Sequence, residues 1–335
     1  METRTVFFQE PFKAVLEREE VKEPGPGEVL IESLYSLIST GTELTAYTGS
    51  FPQGSLWASY VKYPFKAGYS SVGQVAKVGE GVKHLAEGDV VVCDAPHTEL
   101  YVWKADKVVK VPSGVDLREA SFHTLGGGVM NCVRVSSVKL GESVVVVGAG
   151  LLGQLAVQFT RLSGGFPVIS VDLADFRLEL AKKSGADVTV NPKHSDVFEA
   201  VRDSTKGRMA DVVFEVTGDP QVLSQAIRLV RKMGRFIILG SPRGVSTLDF
   251  HDEVNSPSRV IIGTHFYTLH PDSETLHYPW TWTRDREIFL GMLSTGRVSV
   301  KHLISHVYSF DEAPDAYSLL YKSRHECMGV LLKYK

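Results

Sequence analysis

The chain has 335 residues, 43% of them apolar and 22% charged, an ordinary composition for a folded protein and a length that fits two domains. Lys and Arg number 36 against 39 Asp and Glu, a formal charge of −3, so no basic block argues for nucleic acid. The longest apolar stretch, residues 144–153, is broken by three glycines and is far shorter than the roughly 20 residues of a membrane helix.

Residues 1–11 lack a charged start followed by an apolar run, so no secretory signal is expected there. The three cysteines, Cys93, Cys132 and Cys327, are scattered. They suit neither a disulfide framework nor a four-cysteine zinc site, and fit thiols in a reducing cytoplasm. Along the first 110 residues, short β-prone runs at 29–31, 72–78, 90–92, 100–102 and 108–109 are separated by Gly and Pro, which predicts a β-rich barrel or sandwich. Residues 117–135 read as a helix interrupted at Gly126, Gly127 and Gly128.

From there strands and helices alternate. The β-branched run Val144–Val147 predicts a strand buried on both faces, and Leu152, Leu155, Ala156 and Phe159 mark one face of the next helix. Strands at 168–171, 188–190, 212–216 and 236–239, with helices at 176–183 and 220–233, predict a parallel α/β sheet. After residue 284 the rhythm breaks. That tail reads as a helix near 288–293, a strand near 304–308, a helix near 313–321 and a strand at 330–332.

Gly148-Ala149-Gly150-Leu151-Leu152-Gly153 lies between the strand at 144–147 and the helix after it. Gly148 permits a tight turn, Gly150 leaves room for a pyrophosphate, and Gly153 lets the helix pack on the sheet. Leu151 and Leu152 open that helix, whose N-terminal N–H groups favour phosphate. Asp172 ends the next strand, where a carboxylate can accept from both ribose hydroxyls and repel a 2′-phosphate. This predicts NAD, while Arg177, one helical turn on, is the residue that could tolerate NADP.

Together with that fingerprint, Pro24-Gly25-Pro26-Gly27-Glu28-Val29-Leu30, Gly41-Thr42-Glu43, Gly68-Tyr69-Ser70-Ser71-Val72-Gly73, Glu215-Val216-Thr217-Gly218, residues 234–240 and residues 303–306 and 312–317 make nearly the whole chain resemble a medium-chain dehydrogenase/reductase. The resemblance implies a GroES-like catalytic domain from residues 1–123 and 281–335, with a Rossmann NAD-binding domain of residues 124–280 inserted between. It implies cofactor contacts from Val216, Thr217 and Gly240, and a small-molecule substrate bound against the nicotinamide. It also implies a homodimer, for which residues 259–263 offer an edge strand.

The departures from the family carry as much weight. Its zinc members use Cys, His and a third Cys or Glu, and those positions fall here on Thr40, Tyr69 and about Thr124. Hydroxyls are poor zinc ligands, so no zinc is expected, the alternative being a displaced site of His123 with His97 or Asp94. Within the family, Ser39-Thr40-Gly41-Thr42-Glu43 and Gly68–Val75 resemble most a zinc-lacking branch that includes bacteriochlorophyllide hydroxyethyl dehydrogenases.

The resemblance places Tyr69 where its hydroxyl could bond the reacting oxygen, and Thr42 where it could relay a proton. A base role for Tyr69 needs its pKa lowered by a nearby cation, of which Lys66 is the nearest in sequence. Thr40, Tyr47, Trp57 and His123 are the candidate pocket residues, with Tyr278, Trp280 and Trp282 as a second aromatic cluster. The expected activity is NAD-dependent interconversion of a secondary alcohol and a ketone on a polyol, sugar derivative or bulky ring alcohol. An NADPH-dependent quinone or enoyl reductase and a non-catalytic NAD(H)-binding protein are the alternatives.

Overall fold

The computed structural model describes residues 1–335. The chain forms two compact units, Met1–Gly127 with Thr283–Lys335, and Gly128–Trp282.

The first unit is built on antiparallel strands. The central one, Glu28–Leu37, pairs with Ser71–Val78 on one side and with Gly329–Lys333 on the other, and also with Leu100–Lys104. Ile304–Ser309 runs parallel to Gly329–Lys333. The tail therefore leaves the β-α rhythm because its strands complete the sheet of the N-terminal part. Close strand contact needs Gly73, since a Cβ there would stand 2.5 Å from the Glu32 carbonyl oxygen.

A hairpin of Glu2–Glu10 and Lys13–Glu20 adds a small sheet with Phe65–Lys66. The sequence reading missed it. Its second strand, KAVLEREE, has no fully buried residue, so it lacks the apolar alternation that marks a strand. The first strand gives Val6 and Phe8 to the core, both fully buried with Leu320, Val330 and Leu332.

The second unit is an all-parallel six-stranded sheet. Its order is Val188–Val190, Val168–Val171, Val144–Val147, Ala210–Glu215, Val230–Ile238, Val260–Gly263. Numbered along the chain this is 3-2-1-4-5-6, the doubly wound order whose crevice lies at the C-terminal ends of the first and fourth strands. Val144, Val145 and Val146 are wholly buried, as a two-sided buried strand requires. Asp175–Ser184 ends at Gly185 with φ 103°, the left-handed cap that glycine provides.

Two helices differ from expectation. The glycine triplet does not interrupt its helix, which runs unbroken over His123–Ser136 after a short turn of helix at Leu117–Ala120. A Cβ at Gly126 would stand 2.4 Å from the Phe289 ring, and one at Gly128 2.4 Å from the Phe266 ring. These glycines admit aromatic rings rather than break the helix. The helix at Pro220 ends at Ala226, and Val230 already begins the strand that was expected only from 236. Residues 230–235, VRKMGR, are too polar to read as a strand, with Lys232 and Met233 exposed.

Candidate active site and nucleotide site

The nucleotide site is assembled by the strand-to-helix turn after Val147. Gly148 has φ 103°, a conformation that favours glycine. A Cβ on Gly153 would lie 1.9 Å from the Gly148 carbonyl oxygen, whereas nothing stands within 4 Å of the Cβ position on Gly150. The first contact lets the helix Leu151–Leu162 start against the turn. The second leaves a cradle open before its N-terminus. Leu151 is buried and Leu152 half-buried at the helix opening.

Asp172 braces this loop: its Oδ2 accepts from the Ala149 N–H at 2.8 Å and its Oδ1 from the Ala174 N–H at 2.9 Å. Each oxygen keeps a further lone pair for a ribose hydroxyl. The Arg177 guanidinium stands 3.9 Å from the same carboxylate. On the neighbouring strand end, buried Glu215 accepts from the Thr217 N–H at 2.7 Å and from the Thr217 hydroxyl. Burial, ahead of these bonds, raises the Glu215 pKa. Val216 is tied to the Val147 carbonyl at 2.9 Å. A Cβ on Gly240 would come within 2.7 Å of the Gly218 nitrogen. The three predicted residues Val216, Thr217 and Gly240 thus form one tight pair of loops, and the unit fits a dinucleotide.

In the first unit, Tyr69 follows Gly68, whose φ is 95°. Its hydroxyl donates to Ser39 Oγ, and the Thr42 side chain stands near it. Burial pushes the Tyr69 phenol well above its usual value, against the effect of these two hydroxyls. Lys66 does not offset it, because its ammonium is held 2.8 Å from both Glu19 carboxylate oxygens at the surface. Tyr69 is accordingly a neutral hydrogen-bond donor, not a phenolate base. Thr42 opens the helix Thr42–Thr48, and Thr40 is half-buried in the loop before it.

Two predicted pocket residues are core instead. Tyr47 is 6% exposed, stacks on Tyr317 and spends its hydroxyl on the Phe12 carbonyl at 3.2 Å. His123 is fully buried. Its Nδ1 lies 3.3 Å from Thr124 Oγ1, and burial, then the Arg286 guanidinium, push its pKa well below the usual histidine value. Trp57 stays half-buried on the short helix Leu56–Tyr60, edge-on to Tyr60. Tyr278 and Trp280 fold onto the second unit's own Asn131 and Arg134, and Trp282 lies edge-on to Phe266.

Sequence reasoning missed Ser39, Tyr317 and Arg286. Ser39 lay inside a quoted motif, but nothing in sequence marks which hydroxyl receives the Tyr69 proton. The Arg286 guanidinium is 2% exposed and pairs with Asp94. Asp94 Oδ1 and the Tyr69 carbonyl each lie 3.0 Å from Thr124 Oγ1.

This donor set does not fit zinc. The three matched positions are hydroxyls, and no three His, Cys, Asp or Glu side chains are grouped to hold a metal ion. Of the members of a displaced site, His97 is engaged with Glu43 and Asp94 with Arg286, while His123 Nε2 is buried without a hydrogen-bond partner. Cys93 is buried beside the Tyr101 hydroxyl, and burial pushes its thiol up to about 12.

Comparison with known proteins agrees with the two-unit fold. A family model for the alcohol dehydrogenase GroES-like domain matches residues 25–142, and one for zinc-binding dehydrogenase matches residues 152–279. L-threonine 3-dehydrogenase of Pyrococcus horikoshii is 32% identical over 92% of this chain and 92% of its own length. D-guloside 3-dehydrogenase of Escherichia coli is 28% identical over 78% of this chain and 75% of its own. An Escherichia coli alcohol dehydrogenase solved with NADH superposes with TM-score 0.83 at 22% identity, covering 99% of each chain.

The fold and the matches define a dehydrogenase built from a GroES-like unit and a dinucleotide-binding unit. The chain belongs to the medium-chain dehydrogenase/reductase family and is an alcohol-dehydrogenase-like oxidoreductase using a nicotinamide cofactor. No helix is long and apolar enough to cross a membrane.

Proposed function

We propose that this oxidoreductase interconverts a secondary alcohol and a ketone with NAD, without catalytic zinc, on a polyol, sugar derivative or bulky ring alcohol. The observation that carries the reading is the buried Tyr69 hydroxyl, at one of the positions matched to metal ligands, with Ser39 and Thr42 beside it. Bound nicotinamide supplies or accepts the hydride. In ketone reduction the Tyr69 hydroxyl turns its single O–H from Ser39 Oγ to the carbonyl oxygen as negative charge develops there, and the Ser39 hydroxyl becomes the donor to Tyr69. Its proton follows onto that oxygen, and Ser39 and Thr42 return one from solvent. Because the phenol stays protonated, Tyr69 acts as donor in reduction, and oxidation runs through the reverse transfer.

Asp172 beside the turn supports NAD over NADP. Arg177 at 3.9 Å from it supports the second reading, an NADPH-dependent quinone or enoyl reductase. Threonine and guloside dehydrogenases among the relatives act on secondary alcohols, which supports the alcohol class. Three buried free thiols support a reducing cytoplasm. The strand Val260–Gly263 at the end of its sheet supports a homodimer.

The test is absorbance at 340 nm with L-threonine, methyl β-D-glucopyranoside and 2,3-butanediol, each with NAD and with NADP, on protein assayed for metal. Turnover with NAD and less than one zinc per ten chains is expected. One tightly held zinc per chain overturns the zinc-free reading, and a strong NADPH preference on enones moves the protein to the second. NADH binding with no turnover on any of these makes it a non-catalytic nucleotide-binding protein.

A further inference from the structure

Beneath the Tyr69 loop lies a line of buried polar side chains that hydride transfer does not itself require. Glu43 is 1% exposed and His97 is fully buried. The Glu43 carboxylate accepts three hydrogen bonds. Its Oε1 takes the Ser39 N–H at 2.8 Å, and its Oε2 takes His97 Nε2 at 3.0 Å and the Tyr317 hydroxyl. The other His97 nitrogen, Nδ1, lies 2.7 Å from Ser36 Oγ, which lies 2.9 Å from the Tyr334 hydroxyl. One assignment satisfies every group: Nε2–H donates to Glu43, and Nδ1 accepts from Ser36, which accepts from Tyr334.

His97 also meets the same loop by packing. A Cβ on Gly68 would stand 2.4 Å from the His97 nitrogen and 2.7 Å from the ring. The His97 N–H donates to the Ala67 carbonyl at 2.8 Å. The imidazole thus touches the backbone just before Tyr69, and through Glu43 it fixes Ser39, the acceptor of the Tyr69 hydroxyl.

We propose that His97 is a positioning residue for Tyr69, holding its backbone through Gly68 and its hydroxyl acceptor through Glu43 and Ser39. This rests on the reading of Tyr69 as the donor to the reacting oxygen. Unsupported, a buried carboxylate would repel the loop's carbonyls and hydroxyl oxygens. Held by three donors, it is a fixed acceptor that sets where Ser39 sits.

Its test separates the two claims. Tyrosine labelled with ¹³C at Cζ gives a Tyr69 resonance, assigned by its loss in Tyr69→Phe. His97→Leu removes the donor to Glu43 and should move and broaden that resonance. His97→Gln, whose amide nitrogen can reach Glu43 as Nε2 does, should leave it near the wild-type position. Should His97→Leu fail to fold by circular dichroism, Tyr317→Phe, which removes one Glu43 donor at constant shape, should move the resonance in the same direction.

With NADH and the ketone acetoin as probe, His97→Leu should lower kcat about tenfold with KM within about twofold. Added to Tyr69→Phe it should lower kcat by less than about twofold more, because the two residues act as one unit. An unmoved resonance in the folded variant, or fully additive losses, overturns the proposal. If Tyr69→Phe keeps full turnover while His97→Leu still moves the resonance, the positioning stands and the catalytic reading of Tyr69 falls.

Discussion

At the scale of single residues, protonation decides the chemistry. Tyr69 sits where burial outweighs the effect of the neighbouring Ser39 and Thr42 hydroxyls, so its phenol is held well above the usual value. Tyr69→Phe keeps the ring and removes the donor. It should cut kcat about 10²-fold or more, as loss of a donor to a developing oxyanion does, with KM little changed in steady-state assays. No falling limb assignable to Tyr69 is expected in the pH profile of ketone reduction between pH 6 and 10. Asp172 braces Ala149, and in the proposed function it would also accept from the ribose hydroxyls. Asp172→Gly should weaken NAD and improve NADP, read as the ratio of kcat/KM for the two cofactors. Because the substitution also removes the Ala149 bond, the loss for NAD should exceed the gain for NADP.

Hydroxyl chemistry was partly legible in sequence. Tyr69 and Thr42 came from their place in a motif, and the structure sets the Thr42 side chain near the Tyr69 hydroxyl. Tyr47 and His123 were misread because aromatic and imidazole side chains near a motif look alike whether they line a cavity or fill a core. Only burial separates the two.

Among elements, glycine positions set how closely the pieces approach. The turn after Val147 works because Gly153 lets the helix begin against the Gly148 carbonyl. Gly153→Ala forces a methyl carbon into that oxygen, and the clash is with backbone that cannot swing aside. Overpacking of this kind costs about 2 kcal/mol or more, seen as a lower midpoint in urea, and it should weaken NADH binding by fluorescence titration. Gly126 and Gly128 do the same for Phe289 and Phe266, which is why three glycines stay helical.

The alternating β-α segments were legible because buried parallel strands are rich in β-branched apolar residues, most plainly the four valines of Val144–Val147. The first hairpin and the early part of Val230–Ile238 were not. The hairpin's second strand is half-exposed and mostly charged, and the other continues from Val230 into Arg231, Lys232 and Met233, so neither carries a period of two.

For the whole molecule, the first unit concentrates buried tyrosines. Burial raises the pKa of Tyr69, Tyr101, Tyr317 and Tyr334 above the ordinary value of 10.0. Each folded-state value therefore exceeds the unfolded one. The stability these groups contribute is fully present below about pH 10 and lost as pH rises above it, where the unfolded chain ionises first. His123 has the opposite sign. Its folded value is depressed below 6.5, so its contribution is lost as pH falls beneath that point. Stability in urea should be flat between about pH 7 and 10 and fall on both sides. On the alkaline side, the part of the 295 nm tyrosinate absorbance that belongs to these four side chains should appear together with loss of the fold rather than before it.

The pairing of Leu331 with Leu37 carries a consequence for biosynthesis. The central strand Glu28–Leu37 emerges from the ribosome early, yet its partner Gly329–Lys333 follows about 290 residues later, and domains fold as units during synthesis. The nucleotide-binding unit is continuous in sequence and can close while the first unit still waits with one flank of its central strand unpaired. During that interval Val6, Phe8 and Ile38 lack the Val330 and Leu332 side chains that cover them in the finished core. The nascent chain is then most exposed to wrong pairing, and a nick near residue 325 would leave the nucleotide unit intact while undoing the half that holds Tyr69.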